Sequence, residues 1–122
     1  MRTANKEAYV AGLSKVEKVL EDLQRDLDPG CSLQAALSFI RAAREEAREG
    51  PADSGEIARD LGISSAQMSR VYGVLSKWRR AASGGGYDVV DLKIDPTDRR
   101  RRRVYLTPKG KQLASRVARA VD

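Results

Sequence analysis

A chain of 122 residues holds one domain's core, and its 23 Lys+Arg against 17 Asp+Glu, net charge +6, with 41% hydrophobic and 5% aromatic residues, make it charge-rich and aromatic-poor. No apolar run reaches a membrane span and the opening MRTANKEAYV lacks a signal peptide's apolar stretch, so a cytoplasmic protein is expected. One cysteine, Cys31, excludes an internal disulfide, and zero histidines exclude zinc fingers, His-based metal sites and His-dependent triads. The expectation is a non-enzyme without metal or cofactor. Charge is also divided by position: residues 1–61 carry 9 basic and 12 acidic side chains, residues 62–122 carry 14 and 5. The second half, at net +9, suits an anionic partner, nucleic acid foremost, because cations set against phosphates release condensed counterions. A merely solvated basic surface is the bland alternative.

In chain order, residues 4 to 27 read as a helix with Tyr9, Leu13, Val16, Leu20, Leu23 and Leu27 spaced 4, 3, 4, 3, 4, the a/d seam of a heptad pattern. The seam is too short for a free-standing coiled coil and fits a helix docked on a partner helix, in the same chain or in another. Asp28-Pro29-Gly30 stops it. A second helix is expected from an N-cap at Ser32 to Glu49, its stripe Leu33, Ala36, Leu37, Ile40, Ala43 and Ala47 facing a core, with Gly50-Pro51 closing it. Asp53 with Glu56 has the form of a capping box opening a helix through Leu61, and Ser64 with Gln67 repeats the device for a helix expected to reach about Ala82. Gly62 sits between them as a turn residue. Ser83-Gly84-Gly85-Gly86 breaks the chain, Tyr87 to Asp95 reads as a strand, Pro96-Thr97-Asp98 as a turn, and Arg101 to Leu106 as a returning strand. On that strand Arg102, Val104 and Leu106 point one way, and Arg101, Arg103 and Tyr105 the other. Thr107-Pro108 opens a last helix with the apolar stripe Leu113, Ala114, Val117 and Val121.

Residues 56–75, EIARDLGISSAQMSRVYGVL, fill the slots of a helix-turn-helix: Ala58 small at the crossing, Gly62 in the turn, and Ile57, Leu61, Ile63, Met68 and Val71 apolar beneath. Met68, Val71, Leu75 and Trp78 would face the core, leaving Ser65, Gln67, Ser69, Arg70 and Gly73 outward. Small polar residues and one arginine suit a helix in the major groove, where Ser and Gln meet base edges or phosphates and Arg takes guanine bidentately. An ordinary helical hairpin with a solvated outer face is the competing reading. The run Arg99 to Arg103 is self-repelling unless a polyanion lies across it, and a narrow minor groove is such a place.

Residues 95–110, DPTDRRRRRVYLTPKG, resemble the wing and following helix start of the MarR-type winged-helix regulators, with Asp95, Pro96, Asp98, Arg99, Arg100, Val104, Leu106, Thr107 and Gly110 in register. The resemblance implies an α+β, mostly α, winged helix-turn-helix with N- and C-terminal dimerisation helices, residues 1–28 being the dimerisation helix and 29–122 the DNA-binding part of a single domain. It implies a homodimeric, sequence-specific, double-stranded-DNA-binding regulator, a repressor by preference, with recognition helices in the major groove and arginine wings at the minor groove. The candidate DNA contacts are Ser64, Ser65, Gln67, Ser69 and Arg70 on the helix and Arg99, Arg100 and Arg101 on the wing. The dimer contacts are Tyr9, Leu13, Val16, Leu20, Leu23, Leu27, Val117 and Val121. Family members often hold an effector pocket between dimer helices and DNA-binding lobe; no residue here names a small-molecule ligand. The chain departs from the pattern by an extra segment, KWRRAASGGG, before the strand, and by one helix after the wing. Cys31 is more plainly an inert thiol than a sensor. The alternative in another class is a winged-helix module that binds a protein or RNA through its basic face. Asp91, Asp95 and Asp98, as a would-be cation site, are more simply partners of neighbouring arginines.

Overall fold

In the computed structural model, residues 3–27, 32–76 and 86–122 are described, and over them the chain runs α1 (Thr3–Asp26), α2 (Leu33–Arg48), β1 (Ala52–Asp53), α3 (Ser54–Leu61), α4 (Ser65–Leu75), β2 (Val90–Asp95), β3 (Asp98–Leu106) and α5 (Pro108–Ala120). The expected turn Asp28-Pro29-Gly30, Cys31, Trp78 and the break Ser83-Gly84-Gly85 lie outside the described residues. The class is the expected one, mostly helical with a small antiparallel sheet.

Helix starts follow the side chains that satisfy their unpaired first N–H groups. Ser32 Oγ accepts from Ala35 N at 3.1 Å, and Thr107 Oγ1 accepts from Gly110 N at 3.0 Å with Pro108 next in the chain. Both halves of the Ser64–Gln67 capping box form: Gln67 N donates to Ser64 Oγ at 3.2 Å and Ser64 N to Gln67 Oε1 at 3.0 Å. The box expected at Asp53 does not form. Asp53 instead accepts from Gly55 N at 3.1 Å, a tighter turn that leaves the Glu56 side chain outside.

Helix α4 ends at Leu75, short of the expected Ala82, because the returning chain takes its last carbonyls. Gly86 N and Tyr87 N both donate to Val74 O, at 3.1 and 3.0 Å, and Val89 N donates to Leu75 O at 2.9 Å. For the same reason β2 starts at Val90 and not at Tyr87: the N–H groups before it are engaged by α4, and Asp88 turns the backbone at φ 58. The expected two-stranded ribbon has a third member. Ala52 and Asp53 of β1 pair with Val104 and Arg103 of β3, giving the order β1-β3-β2, all antiparallel. Two residues carry no periodicity by which a strand could be foreseen.

Phe39 of α2, Leu75 of α4, Val89, Val90 of β2, Val104 of β3 and Leu113 of α5 are at most 1% exposed and form the centre of the core. Each such side chain contributes about 1.5–3 kcal/mol by leaving water. Helix α1 joins this core with its C-terminal half alone. Leu23 and Leu27, expected on a partner-facing seam, are 6% and 5% exposed inside this chain, whereas Tyr9, Leu13, Val16 and Leu20 are 51–58% exposed. The division has a geometric cause: α5 lies along the end of α1, where Asp26 pairs with Arg116. Beside that contact Asp22 is buried, accepting from Lys18 Nζ at 3.1 Å and Arg25 Nη2 at 2.6 Å. The Lys18 hydrogen bond, ahead of the surrounding positive charges, holds its carboxyl below the usual range. On α5, Val117 is half-buried against the core and Val121 is exposed.

Gly110 is the position where a missing side chain decides packing. A Cβ there would stand 2.0 Å from the carbonyl oxygen of Val89, the group that also accepts from Thr107 N at 3.2 Å. Gly110→Ala should therefore lower unfolding free energy by about 1–3 kcal/mol, or more if the backbone cannot yield, read as a lower urea midpoint at unchanged m-value.

Candidate nucleic-acid interface

The turn between α3 and α4 is built from three local devices. Gly62 adopts the left-handed conformation (φ 68, ψ 34), Ile63 N donates to Ala58 O at 2.9 Å, and Gly62 N donates to Arg59 O at 3.2 Å, which together close the end of α3. Ile57, Ala58, Ile63, Met68, Val71, Tyr72 and Leu75 are buried beneath the two helices. Burial pushes the Tyr72 hydroxyl pKa up, and that hydroxyl has no hydrogen-bond partner. With one face of α4 so fixed, Ser65, Gln67, Ser69 and Arg70 stand exposed on the other, with Ser64 at its start. Arg70 has no ion pair among the described residues. Gln67 reaches outward less freely than expected, because its amide oxygen holds the cap; its NH₂ group and the Ser64 hydroxyl proton are what those two can still offer.

The hairpin is held by its turn. Thr97 donates to Asp95 Oδ1 through its hydroxyl at 2.6 Å and its backbone N–H at 2.8 Å, while Arg103 Nε donates to Asp95 Oδ2 at 2.9 Å. Thr97 first, and Arg103 with it, outweigh burial and hold the Asp95 carboxyl down to about 2.

The five arginines divide in two. Arg101 is brought to acids, 3.5 Å from Asp98, 3.9 Å from Asp53 and 4.0 Å from Glu56, so this expected DNA contact braces the hairpin against the start of α3. Arg103 joins Asp95 and the Pro51 carbonyl in the same manner. Arg100 lies 3.4 Å from Asp98 with a side chain still 93% exposed, and Arg99 is exposed with no ion pair among the described residues. Arg102 also has no ion pair among the described residues, yet it is not at the tip. It overhangs a groove of about 640 Å³ between α4 and the hairpin, lined also by Ser65, Met68, Ser69, Leu92 and Ile94. Ile94, its cross-strand partner, is 60% exposed. Arg102 and Ile94 were not among the expected site residues. The alternation that set Arg102 with Val104 and Leu106 was the available signal, since past the end of the core that face overhangs α4.

Among the described residues no helix is long and apolar enough to cross a membrane, and no group of three or more Cys, Asp or Glu could hold a metal ion. No protein-family model and no curated protein matches the sequence. The fold matches solved structures of transcriptional regulators. The regulator Tm0710 from Thermotoga maritima aligns with TM-score 0.58 at 20% identity, over 97% of this chain and 69% of that one. The MepR–DNA complex of S. aureus aligns with TM-score 0.62 at 14% identity, over 85% and 73%. Reduced AbfR bound to DNA aligns with TM-score 0.57 at 22% identity, over 99% and 78%. At these identities the likeness is one of fold alone, a mostly helical chain with a small three-stranded antiparallel sheet.

The hairpin turn has a pH signature. Asp95 ionises more readily in the folded chain than at its ordinary 3.8, so its charge stabilises the fold above about pH 4 and that contribution is lost as pH falls through about 2. Asp95→Asn should lower Tm at neutral pH, and its Tm should fall less than wild type's between about pH 4 and pH 2, where the carboxylate takes up its proton.

Proposed function

We propose that this protein is a MarR-type transcriptional regulator that binds double-stranded DNA sequence-specifically as a homodimer and represses by occupying a near-palindromic operator. The observation that carries the reading is a polar helix face, Ser65, Ser69 and Arg70 with Gln67 beside them, held rigidly at a capped turn, next to a hairpin whose tip presents Arg99 and Arg100. That face meets base edges in the major groove while the tip reaches the neighbouring minor groove. The DNA-bound structures of similar fold support the same reading.

Two copies are needed for a two-fold operator, and α1 carries the means. Tyr9, Val10, Leu13, Val16 and Leu20 form an exposed apolar stripe, with Leu33, Leu37 and Val121 exposed as well. Between α1 and the start of α2 a groove of about 650 Å³ has Leu13, Val16, Leu20, Leu33 and Ala36 as apolar lining, with Glu17, Glu21 and Gln24 at its polar side. A contiguous apolar surface of this kind is a site of association, and a second copy brings a matching stripe.

Two measurements test the proposal. Replacing Leu13 and Leu20 together by Lys, which leaves the buried Leu23 and Leu27 alone, should give a folded monomer by light scattering and circular dichroism. Binding to a two-half-site duplex should weaken by well over tenfold as the second contact ceases to be intramolecular. A wild type that is monomeric at micromolar concentration with full affinity would contradict the dimer.

On a site selected from random duplexes, Arg70→Ala should cost about 1–3 kcal/mol and flatten preference at one base pair, with little change on unselected DNA. Equal losses on both would move Arg70 to the phosphates. Equal affinity of wild type for duplex DNA and single-stranded RNA would favour the interaction module over the operator-binding regulator.

A further inference from the structure

Along β3 the acids sort the arginines. Arg101 and Arg103 face Asp53, Glu56, Asp95 and Asp98, so their charge is answered within the fold. Arg102 projects from the opposite face of the strand, the face that Val104 buries in the core. There it meets no carboxylate among the described residues. It stands instead over the groove whose other wall is α4, with Ser65 in the first helical turn and Ser69 one turn on. The first turn of a helix carries partial positive charge, so wall and overhang have the same sign. A guanidinium with no ion pair among the described residues keeps its donors available to an anion from outside.

The position of the groove says which anion. On the reading above, α4 lies in a major groove and the hairpin tip at the adjoining minor groove, and two adjoining grooves of a duplex are separated by one sugar-phosphate strand. We propose that this strand runs through the groove between α4 and β2–β3, and that Arg102 is its phosphate contact, positioning the two reading elements without itself reading sequence. The inference rests on the DNA-binding reading and adds to it a residue, a site and a kind of contact. Four of the other lining residues suit such a strand: Ser65 and Ser69 supply hydroxyl donors, and Leu92 and Ile94 supply an apolar wall for the sugar, while Ser54, Gly55 and Ala58 of α3 close the groove's far side.

The experiment is a titration of a mixed-sequence 30-base-pair duplex by fluorescence anisotropy at several salt concentrations, with wild type, R102Q, R102K and R119Q. Arg119 is an exposed cation on α5 that matches the charge lost in R102Q away from the groove. Neutralising one phosphate contributes about −0.9 to the slope of log K against log salt, so R102Q should be shallower by about 1 per subunit and roughly 8-fold weaker per subunit at about 0.1 M salt. R102K and R119Q should keep the wild-type slope. An R102Q slope equal to wild type's overturns the assignment while leaving the DNA-binding reading in place. So does an R119Q slope as shallow as R102Q's, since the effect would then be one of net charge. A loss in R102Q on a selected site alone, with mixed-sequence binding unchanged, would make Arg102 a base reader and overturn it too. Failure of wild type to bind any duplex overturns the DNA-binding reading and this inference together.

Discussion

The short stretch from Gly86 to Val90 is the constraint on which the rest of the molecule depends. The N–H groups of Gly86, Tyr87 and Val89 are held by the last carbonyls of α4, and the Val89 carbonyl is held by Thr107 at the root of α5. The Thr107 hydroxyl donates to Asp88 O at 2.6 Å while accepting from Gly110, and Gly110 lets the Val89 backbone approach more closely than any side chain would allow. One backbone segment thus ties α4, the first strand of the hairpin and the closing helix together. Because backbone hydrogen bonds fix orientation as well as distance, the angle between α4 and the hairpin is set at this junction and not by the surface residues that would touch a ligand. The Leu106-Thr107 and Gly110 positions of the MarR-like sequence pattern are, physically, the parts of that junction.

A second ordering comes from charge. Consecutive arginines alternate across a strand, so one run sends its side chains to two different environments. Acids on the α3 side and in the turn answer Arg101 and Arg103, and these pairs brace the hairpin. Among the described residues Arg102 and Arg99 have no ion pair, and Arg100 keeps a side chain almost wholly in solvent. Cations paired within the fold and cations left to solvent are thereby separated within five residues. The buried Asp95 carboxylate makes the Arg103 pair part of the turn's stability, whereas the longer pairs of the half-exposed Arg101 contribute little individually and matter more for where they leave the remaining charge.

Helix α1 has two environments along its length. Its C-terminal half is core, through Leu23, Leu27 and the pairs of Asp22 and Asp26, and its N-terminal half continues the same apolar spacing beyond the domain that could cover it. A continuous helix transmits the orientation of one half to the other. On the proposed reading, the spacing of two recognition helices across a dimer would therefore be set by the packing of α1 on α5, well away from the DNA.

The sequence by itself determined what depends on neighbours a few residues away. Helix starts at Ser32, Ser64 and Thr107, the left-handed Gly62, the buried set Ile57, Ala58, Met68 and Val71, and the alternation of β3 are all local events, governed by caps, backbone freedom and periodicity. The tertiary structure decided what depends on distant partners. A heptad seam looks the same whether its partner is in the same chain or another, so only the placement of α5 divides Leu23 and Leu27 from Tyr9 and Leu13. The helical propensity after Leu75 does not reveal that Gly86, Tyr87 and Val89 will claim the carbonyls that would have continued α4. A two-residue strand at Ala52 exists only because β3 lies beside it. Five identical arginines have identical propensities, and their environments differ because acids more than forty residues away in the chain, or in the turn just before them, come to lie beside some and not others.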